Sequence, residues 1–283
     1  MAGTIVVGVT DRAVSERVVD WAAARAGSTG DRLVLLSVVG GAVGAVGEAE
    51  VLGTAVTAAE SLAETHAERL RSQGGEVEVR VVHGNPTAQL IESSTDASLL
   101  VIGSDYRGEG HGGRRGPHGR RIVAGSHCPV VVVPDYDVGG RSGVVVGLDG
   151  SDLSRRALEF AADEASRTGE TLTAVSAWTP MPVGSYGMGE VAYYPELYLT
   201  DLQGVTESMV ADLLAPVREA HPQLRIEAYV AEGDPGLVVN DAAVSARLAV
   251  VGTHGRGGLA RLLLGSVSEN VLAELATVTA VVR

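Results

Sequence analysis

The chain has 283 residues, which is enough for two ordinary domains that each bury a core. Its composition is that of a globular protein, with 45% hydrophobic residues and one Phe, so aliphatic side chains must form the cores. The formal net charge of −13 argues against nonspecific binding of duplex nucleic acid, because phosphates require a basic face.

All 22 basic residues are arginine, which excludes several cofactor and nucleotide chemistries. A Walker P-loop, a protein kinase and a pyridoxal enzyme each need a lysine. The single cysteine, Cys128, excludes an internal disulfide, fits a reducing compartment and is expected to pack in the core. No apolar run approaches the roughly 20 residues that span a bilayer, and the N-terminus lacks the basic region of a signal peptide. We therefore expect a cytoplasmic protein with no membrane partner.

An internal repeat organises the chain. The stretch 6–39, VVGVTDRAVSERVVDWAAARAGSTGDRLVLLSVV, aligns without a gap on 145–178, VVGLDGSDLSRRALEFAADEASRTGETLTAVSAW. Further along, VRVVHGNP matches AYVAEGDP, and ASLLVIGS matches ARLAVVGT. The stretch 134–143, PDYDVGGRSG, has the composition of a linker. We therefore predict two domains, at residues 1–135 and 142–283.

Each half is predicted to run strand, helix, strand, helix, strand, helix, strand, loop, helix, strand. In the second half we expect strands near 143–148, 171–177, 225–231, 247–252 and 278–282, and helices near 152–167, 200–220, 235–245 and 266–276. Apolar strands that alternate with amphipathic helices favour parallel βαβ units, and right-handed crossovers then give an open doubly wound sheet. The predicted fold class is α/β, with two tandem Rossmann-like domains.

A glycine-rich motif follows the fourth predicted strand of the second half. Gly252, two residues, Gly255, nine residues, Gly265 and Ser266 lead from that strand into a helix. Such a junction presents backbone N–H groups and the positive end of a helix dipole to phosphates, and glycines let the backbone approach an anion. The spacing as a whole therefore favours nucleotide binding.

The spacing G-2x-G-9x-G-(S/T) resembles the nucleotide-binding signature of the ATP-binding members of the universal stress protein family. The resemblance covers nearly the whole chain as two tandem domains, and it implies five parallel strands in the order 3-2-1-4-5 in each. In open α/β sheets a ligand binds where the strand order reverses, which here lies between strands one and four. Asp149 leaves strand one and Gly252 leaves strand four at this point, so two independent signals converge.

Chemistry assigns roles to the predicted site. The glycines let the loop pass beside the ribose and phosphates, while Ser266 and the N–H groups of the next two residues bind phosphate oxygens. Asp149 either accepts from a ribose hydroxyl or holds a divalent cation such as Mg2+, and the sequence leaves both open. The resemblance places adenine at the end of strand two, at Ala177. The predicted nucleotide-binding residues are Asp149, Ala177, Gly252, His254, Gly255, Arg256, Gly265, Ser266, Val267 and Ser268.

Simpler structural interpretations exist for several of these residues. Ser266 and Glu269 match a capping box, which would stabilise the helix without any ligand. Asp149 could cap the helix that follows it. Arg256 and Arg261 are the candidate side-chain cations near the phosphates, but Arg261 equally fits a solvated or acid-paired residue. His254 fits a loop residue better than an acid or base.

The first half departs from the motif. Tyr106 replaces the second glycine, Pro117 replaces the serine, and Thr10 stands where the second half has Asp149. Proline removes both a hydroxyl and an N–H from the phosphate-binding turn. We therefore expect this half to bind ATP poorly or not at all. Its loop fits either a basic remnant of the motif or a site for another anion, a metal or an acidic partner, although the nearby histidines lack a recognisable metal-ligand spacing. The basic residues of this loop are Arg107, His111, Arg114, Arg115, His118, Arg120 and Arg121.

These observations predict an ATP-binding protein that acts as a nucleotide-dependent stress-response sensor or regulator. No Ser-His-Asp order, HExxH motif or cysteine pair supports catalysis, although a slow ATPase stays open. A further alternative is an interaction scaffold that uses no nucleotide and makes contacts through the basic loop and the 178–198 stretch. The resemblance implies that the terminal strands, near 128–133 and 278–282, pair with each other or across a dimer. Whether two chains form a homodimer stays open.

Overall fold

The computed structural model describes residues 2–40, 48–104, 106–107, 114–115, 117–180, 196–255 and 263–283. Contacts divide the chain into two compact units. The first unit comprises Met1–Val138, Ala260–Leu264 and Val278–Arg283, and the second comprises Gly139–Leu259 and Gly265–Thr277.

Strands and helices alternate along the described residues, as the repeat predicts. The strands before Val138 are β1 (Thr4–Val9), β2 (Arg32–Val39), β3 (Val77–His83), β4 (Leu99–Gly103), β5 (Tyr106–Arg107), β6 (Arg114–Arg115) and β7 (Val130–Val133). The helices there are α1 (Val14–Thr29), α2 (Glu48–Ser72), α3 (Pro86–Ser93) and α4 (Pro117–Gly125). The later strands are β8 (Val144–Gly147), β9 (Leu172–Trp178), β10 (Ile226–Glu232), β11 (Leu248–Gly252) and β12 (Val278–Val282). The later helices are α5 (Asp152–Thr168), α6 (Glu196–Ala220), α7 (Pro235–Ala243) and α8 (Ser266–Glu274).

The first unit is built on a mostly parallel sheet. Its strands lie in the order β3-β2-β1-β4-β7, which confirms the predicted order 3-2-1-4-5. On the outer side of β7, β12 pairs in the antiparallel direction, with Thr279 opposite Val132. Every residue of β12 is buried. The two terminal strands of the repeats therefore pair with each other within this unit.

The second unit has four parallel strands in the order β10-β9-β8-β11. Its elements lie within a few residues of the predicted bounds. One helix, α8, ends two residues earlier than expected, because Leu275 adopts a left-handed conformation with φ of 45°. The N–H of Leu275 donates to the carbonyl of Val271 at 2.8 Å and closes the last turn.

Aliphatic side chains form both cores, as the shortage of aromatic residues predicts. The strand interiors are buried Val, Leu and Ile, while α1 packs alanine and valine against them and α5 packs alanine and leucine. The repeat extends to the turns: α1 ends at Gly30 and α5 at Gly169, with φ of 75° and 68°. Glycine is favoured there because other residues are strained at positive φ. Among the described residues, no helix combines the length and apolarity required to cross a membrane.

Candidate functional site

The predicted site lies in the second unit, at the carboxyl ends of β8 and β11. These two strands are parallel neighbours, with Val146 opposite Val250. The chain leaves β8 through Asp149 and leaves β11 through Thr253 and Gly255. The sheet therefore brings together two segments that lie a hundred residues apart in sequence, at the point where the strand order reverses.

The carboxylate of Asp149 is held by the start of α5. Its Oδ1 accepts from the N–H of Ser151 at 3.0 Å and from the Ser151 hydroxyl at 2.6 Å. The Ser151 hydroxyl also accepts from the N–H of Ser154 at 3.1 Å, so Ser151 is the N-cap of α5. The suggestion that Asp149 itself caps the helix is therefore wrong, because Ser151 occupies that position and fixes the carboxylate beside it.

The glycine loop passes directly against this carboxylate. A Cβ on Gly255 would fall far inside contact distance of Asp149 Oδ2. A Cβ on Gly252 would meet the Cβ of Leu153, on α5, at 3.1 Å. Both positions therefore require glycine for close packing, and the loop backbone lies where it can approach a ligand beside Asp149.

Hydrogen bonds close the base of the loop. The N–H of Gly265 donates to the carbonyl of Thr253 at 2.8 Å. The hydroxyl of Ser268 donates to the same carbonyl at 3.0 Å and to the carbonyl of Gly265 at 2.8 Å. A Cβ on Gly265 would lie 3.2 Å from the Cα of His254. These hydrogen bonds join the first and last parts of the motif, and those of the buried Ser268 side chain stabilise the base of the loop.

Helix α8 begins differently from the predicted capping box. Its N-cap is Gly265, with no side-chain cap bond, and Ser266 is the first helical residue. The capping-box interpretation of Ser266 and Glu269 is therefore wrong. The N–H groups of Ser266, Val267 and Ser268 lie in the first turn of α8, where the helix itself supplies no hydrogen-bond acceptor for them. This arrangement favours anion binding.

Two further predicted residues lie at this edge of the sheet, His254 in the loop and Ala177 on β9. The Nε2 atom of His254 is buried without a hydrogen-bond partner among the described residues, a polar atom that a ligand or water at this site would satisfy. On β9, the carbonyl of Val175 accepts from the N–H of Leu148 at 2.8 Å. Since backbone groups alternate along a strand, Ala177 points its N–H and carbonyl to the same edge, beyond the end of β8. A ligand bound beyond the end of β8 would be within hydrogen-bonding reach of the N–H and carbonyl of Ala177.

Some predicted residues lie outside the described part of the chain. Arg256 and Arg261 are among them, as is the 181–195 part of the predicted contact loop. Of the basic loop in the first half, His111 also lies outside, while Tyr106–Arg107 pairs with Arg114–Arg115 as a short antiparallel ladder. Among the described residues, no group of three or more His, Cys, Asp or Glu side chains is placed to hold a metal ion.

The equivalent place in the first unit has different polar groups. The N–H of Thr10 donates to the hydroxyl of Ser15 at 2.9 Å, and the two hydroxyls lie 3.2 Å apart. Helix α4 begins at Pro117, as α8 begins at Ser266. Proline has no N–H, so this first turn has one phosphate donor fewer than α8.

Sequence reasoning gave no role to two residues that shape the candidate site in the second unit. Ser151 fixes the Asp149 carboxylate, and the carbonyl of Thr253 closes the loop. The spacing of Ser151 before Ser154 is typical of a helix start and signals the cap. No sequence pattern signals a backbone carbonyl such as that of Thr253.

Comparisons with known proteins place these features in a family. The family model described as the universal stress protein family matches residues 1–134 and 141–283. A universal stress protein of Mycobacterium tuberculosis is 36% identical over 200 residues, which cover 69% of this chain and 65% of that protein. A second from the same organism is 33% identical over 217 residues, covering 75% of this chain and 70% of that protein. The chain thus spans just under two thirds of the first relative's length.

Solved structures share the fold across the chain. The crystal structure of a universal stress protein from Archaeoglobus fulgidus matches with a TM-score of 0.70 at 18% identity, covering 99% of this chain and 98% of that one. A Pseudomonas aeruginosa protein described as functionally unknown matches with a TM-score of 0.67 at 17% identity, covering 99% and 92%. At such identities the likeness supports the fold alone.

Proposed function

The chain belongs to the universal stress protein family, and we propose that its second domain, residues 142–283, binds ATP as a structural or regulatory ligand. The domain would then act as a nucleotide-dependent sensor. A ligand changes the conformation of a protein, or the surface that it offers to a partner, only if it binds two states with different affinity. ATP would act on this domain in that way.

The observation that carries this proposal is the contact between Gly255 and the carboxylate of Asp149, beside the open first turn of α8. One segment comes from β8 and the other from β11, and both reach the place where open α/β sheets bind ligands. Neither the loop closure at Thr253 nor the cap at Ser151 requires this approach. The absence of a side chain at Gly255 leaves the loop backbone beside the carboxylate, which supports a nucleotide site at this place.

The residues present fit the parts of a nucleotide. When bound, ATP brings a negatively charged triphosphate, which the first-turn N–H groups of Val267 and Ser268 and the helix dipole would hold. The backbone carbonyl of Ala177 would accept a hydrogen bond from the base, and its N–H would donate one to the base. The second oxygen of Asp149 faces the loop, where it would accept from a ribose hydroxyl or hold Mg2+.

Thermal unfolding with and without ATP tests this proposal. A ligand at one hundred times its Kd stabilises by about 2.7 kcal/mol, which raises Tm by about 5–10 °C for a domain of this size. The Ser266→Ala plus Val267→Pro variant, which loses a hydroxyl and an N–H at the helix start, should show a smaller shift. An unchanged Tm at millimolar ATP, with no nucleotide in the purified protein, would remove the proposal.

Slow ATP hydrolysis is a separate question. Asp149 Oδ1 already accepts two hydrogen bonds from Ser151, which fits a positioned carboxylate better than a mobile base. We therefore expect that any turnover of the purified protein is the same in wild type and in Asp149→Ala at saturating ATP. A turnover that disappears in that variant would favour the ATPase.

A further inference from the structure

Strand β10 forms the edge of the sheet in the second unit. It pairs with β9 along its whole length and with no other strand among the described residues. The N–H of Leu172, on β9, donates to the carbonyl of Arg225, just before β10 begins. Since backbone groups alternate along a strand, the N–H and carbonyl of every second residue after Arg225 point to β9, and those of the others point away from it. The outward-pointing residues are Ile226, Ala228, Val230 and Glu232.

The face of β10 that lies on the side of α7 carries an exposed aromatic residue. Tyr229 is opposite Val175 of β9, which is opposite Gly147 of β8. A Cβ on Gly147 would lie 3.2 Å from the Val239 side chain of α7, so Tyr229 is on the α7 side of the sheet. Helix α7 packs against β8 and β9, and Tyr229 stays 50% exposed at the edge.

The first unit has a charged residue at the equivalent place on its own edge strand, β3. The match of VRVVHGNP with AYVAEGDP puts Arg80 at the position of Tyr229. Arg80 donates to the carboxylate of Glu78 at 2.8 Å, and both side chains are partly exposed. Charged side chains on an edge strand discourage pairing with another chain. One chain therefore offers a single edge suited to pairing, and two chains joined through one such edge form a closed dimer instead of a fibre.

The backbone of β10 is complementary to a second copy of itself in the antiparallel direction. Full overlap of its seven residues places the two-fold axis at Tyr229. Ile226 then lies opposite the partner's Glu232, and Ala228 lies opposite the partner's Val230. These are the residues whose backbone groups point outward, so each of them exchanges hydrogen bonds with the other copy.

The side chains fit the same register. Tyr229 lies opposite the partner's Tyr229 in a non-hydrogen-bonded pair, where side chains approach most closely, and aromatic pairs stabilise antiparallel strands. Glu227 lies opposite the partner's Ala231, and its carboxylate is already paired with Arg225 of its own chain at 2.6 Å. No acidic residue of β10 therefore lies opposite another acidic residue.

We propose that two copies of this chain form a homodimer by antiparallel pairing of their β10 strands, with the two Tyr229 rings in contact at the two-fold axis. The terminal strand β7 takes no part in this interface, because β4 and β12 occupy both of its edges within the first unit. The proposal is independent of nucleotide binding.

Disulfide cross-linking of the full chain tests both the edge and the register. In Tyr229→Cys the two new thiols lie at the two-fold axis with Cα atoms about 4.5 Å apart, a separation that a disulfide bridges. The native Cys128 is buried and 6% exposed. Ala231→Cys is the register control, because its two copies are offset by four residues, about 14 Å along the strands. Arg80→Cys, at the equivalent position of β3, is the edge control.

A second pair of variants tests the backbone contact by sedimentation from micromolar to millimolar chain concentration. Ala228→Pro removes an outward-pointing N–H from β10, where proline leaves the pairing with β9 intact. Val79→Pro makes the same change at the equivalent position of β3 and is the matched control.

We expect the wild type to sediment with twice the chain mass of 29.0 kDa. Mild oxidation should give a covalent dimer in Tyr229→Cys and in neither cysteine control, and Ala228→Pro should be monomeric while Val79→Pro stays dimeric. A wild-type chain that is monomeric throughout would overturn the proposal and leave the edge to another partner. A dimer that Tyr229→Cys does not cross-link, or that Ala231→Cys or Arg80→Cys cross-links instead, would overturn it as well.

Discussion

The close approach of Gly255 to Asp149 is the contact on which the proposed nucleotide site depends. The loop backbone lies where any side chain at this position would overlap the carboxylate. The carboxylate cannot simply swing away, because two hydrogen bonds from Ser151 hold its other oxygen. A methyl group at Gly255 must therefore displace the backbone at this position, beside the first turn of α8 that we propose binds phosphate.

We predict that Gly255→Ala weakens ATP binding at least tenfold, which corresponds to about 1.4 kcal/mol. Isothermal titration of the purified variant measures this change. The control is Gly204→Ala, an exposed position in α6 with no atom near the added methyl group. It should leave ATP affinity unchanged and stabilise the helix by about 0.5–1 kcal/mol. Equal ATP affinity in both variants would contradict the account.

Cys128 is predicted to be chemically silent in the folded protein. The residue is 6% exposed, which confirms the expected core packing, and desolvation by burial raises the pKa of its thiol to about 11. About one thiol in a thousand is then ionised at pH 8, and the thiolate is the reactive form. An aromatic disulfide reagent should label the native protein slowly and the denatured protein fully, to one thiol per chain. Rapid labelling without denaturant would contradict this prediction.

At the scale of single elements, the two helices that border the site start in different ways. Ser151 caps α5 with its hydroxyl, whereas Ser266 is already inside α8 and does not cap it. Ser151 and Ser266 are each followed, three positions later, by a polar residue. The two serines nevertheless have different roles at the two helix starts. Only the backbone geometry separates them, which is why the sequence pattern misassigned Ser266.

This difference gives a paired prediction. Ser151→Ala should destabilise the protein by about 1 kcal/mol in urea denaturation, because an N-cap is lost. Ser266→Ala should change the unfolding free energy by less than about 0.5 kcal/mol and should weaken ATP binding instead. Equal destabilisation by the two substitutions would mean that Ser266 caps the helix after all.

The fold was predictable because its signals are local and occur twice. Apolar strand runs, the glycines that end α1 and α5, and the prolines that begin α3 and α7 recur in both halves of the sequence. Helix ends set by tertiary packing were not predictable. The end of α8 at the buried Leu275, in a left-handed conformation, has no sequence signal.

At the scale of the whole molecule, the two halves of the repeat carry different polar groups at equivalent positions. Sequence comparison detected the changed motif residues of the first half, because Thr10 in place of Asp149 and Pro117 in place of Ser266 are single residues at known positions. It did not detect the cavity of the first unit, which forms where residues from three strands (β1, β2 and β4) and three helices (α1, α3 and α4) surround a space. A motif that has lost residues therefore predicts that its usual ligand binds poorly, but it cannot predict which molecule the cavity binds.

The number of ATP molecules bound per chain distinguishes a single site in the second domain from a site in each half. Equilibrium dialysis of the full chain against ATP, with wild type and Gly255→Ala side by side, measures it. We expect one ATP per wild-type chain and a strong loss of that binding in Gly255→Ala. Two ATP per chain, or one that persists unchanged in Gly255→Ala, would contradict the assignment of the site to the second domain.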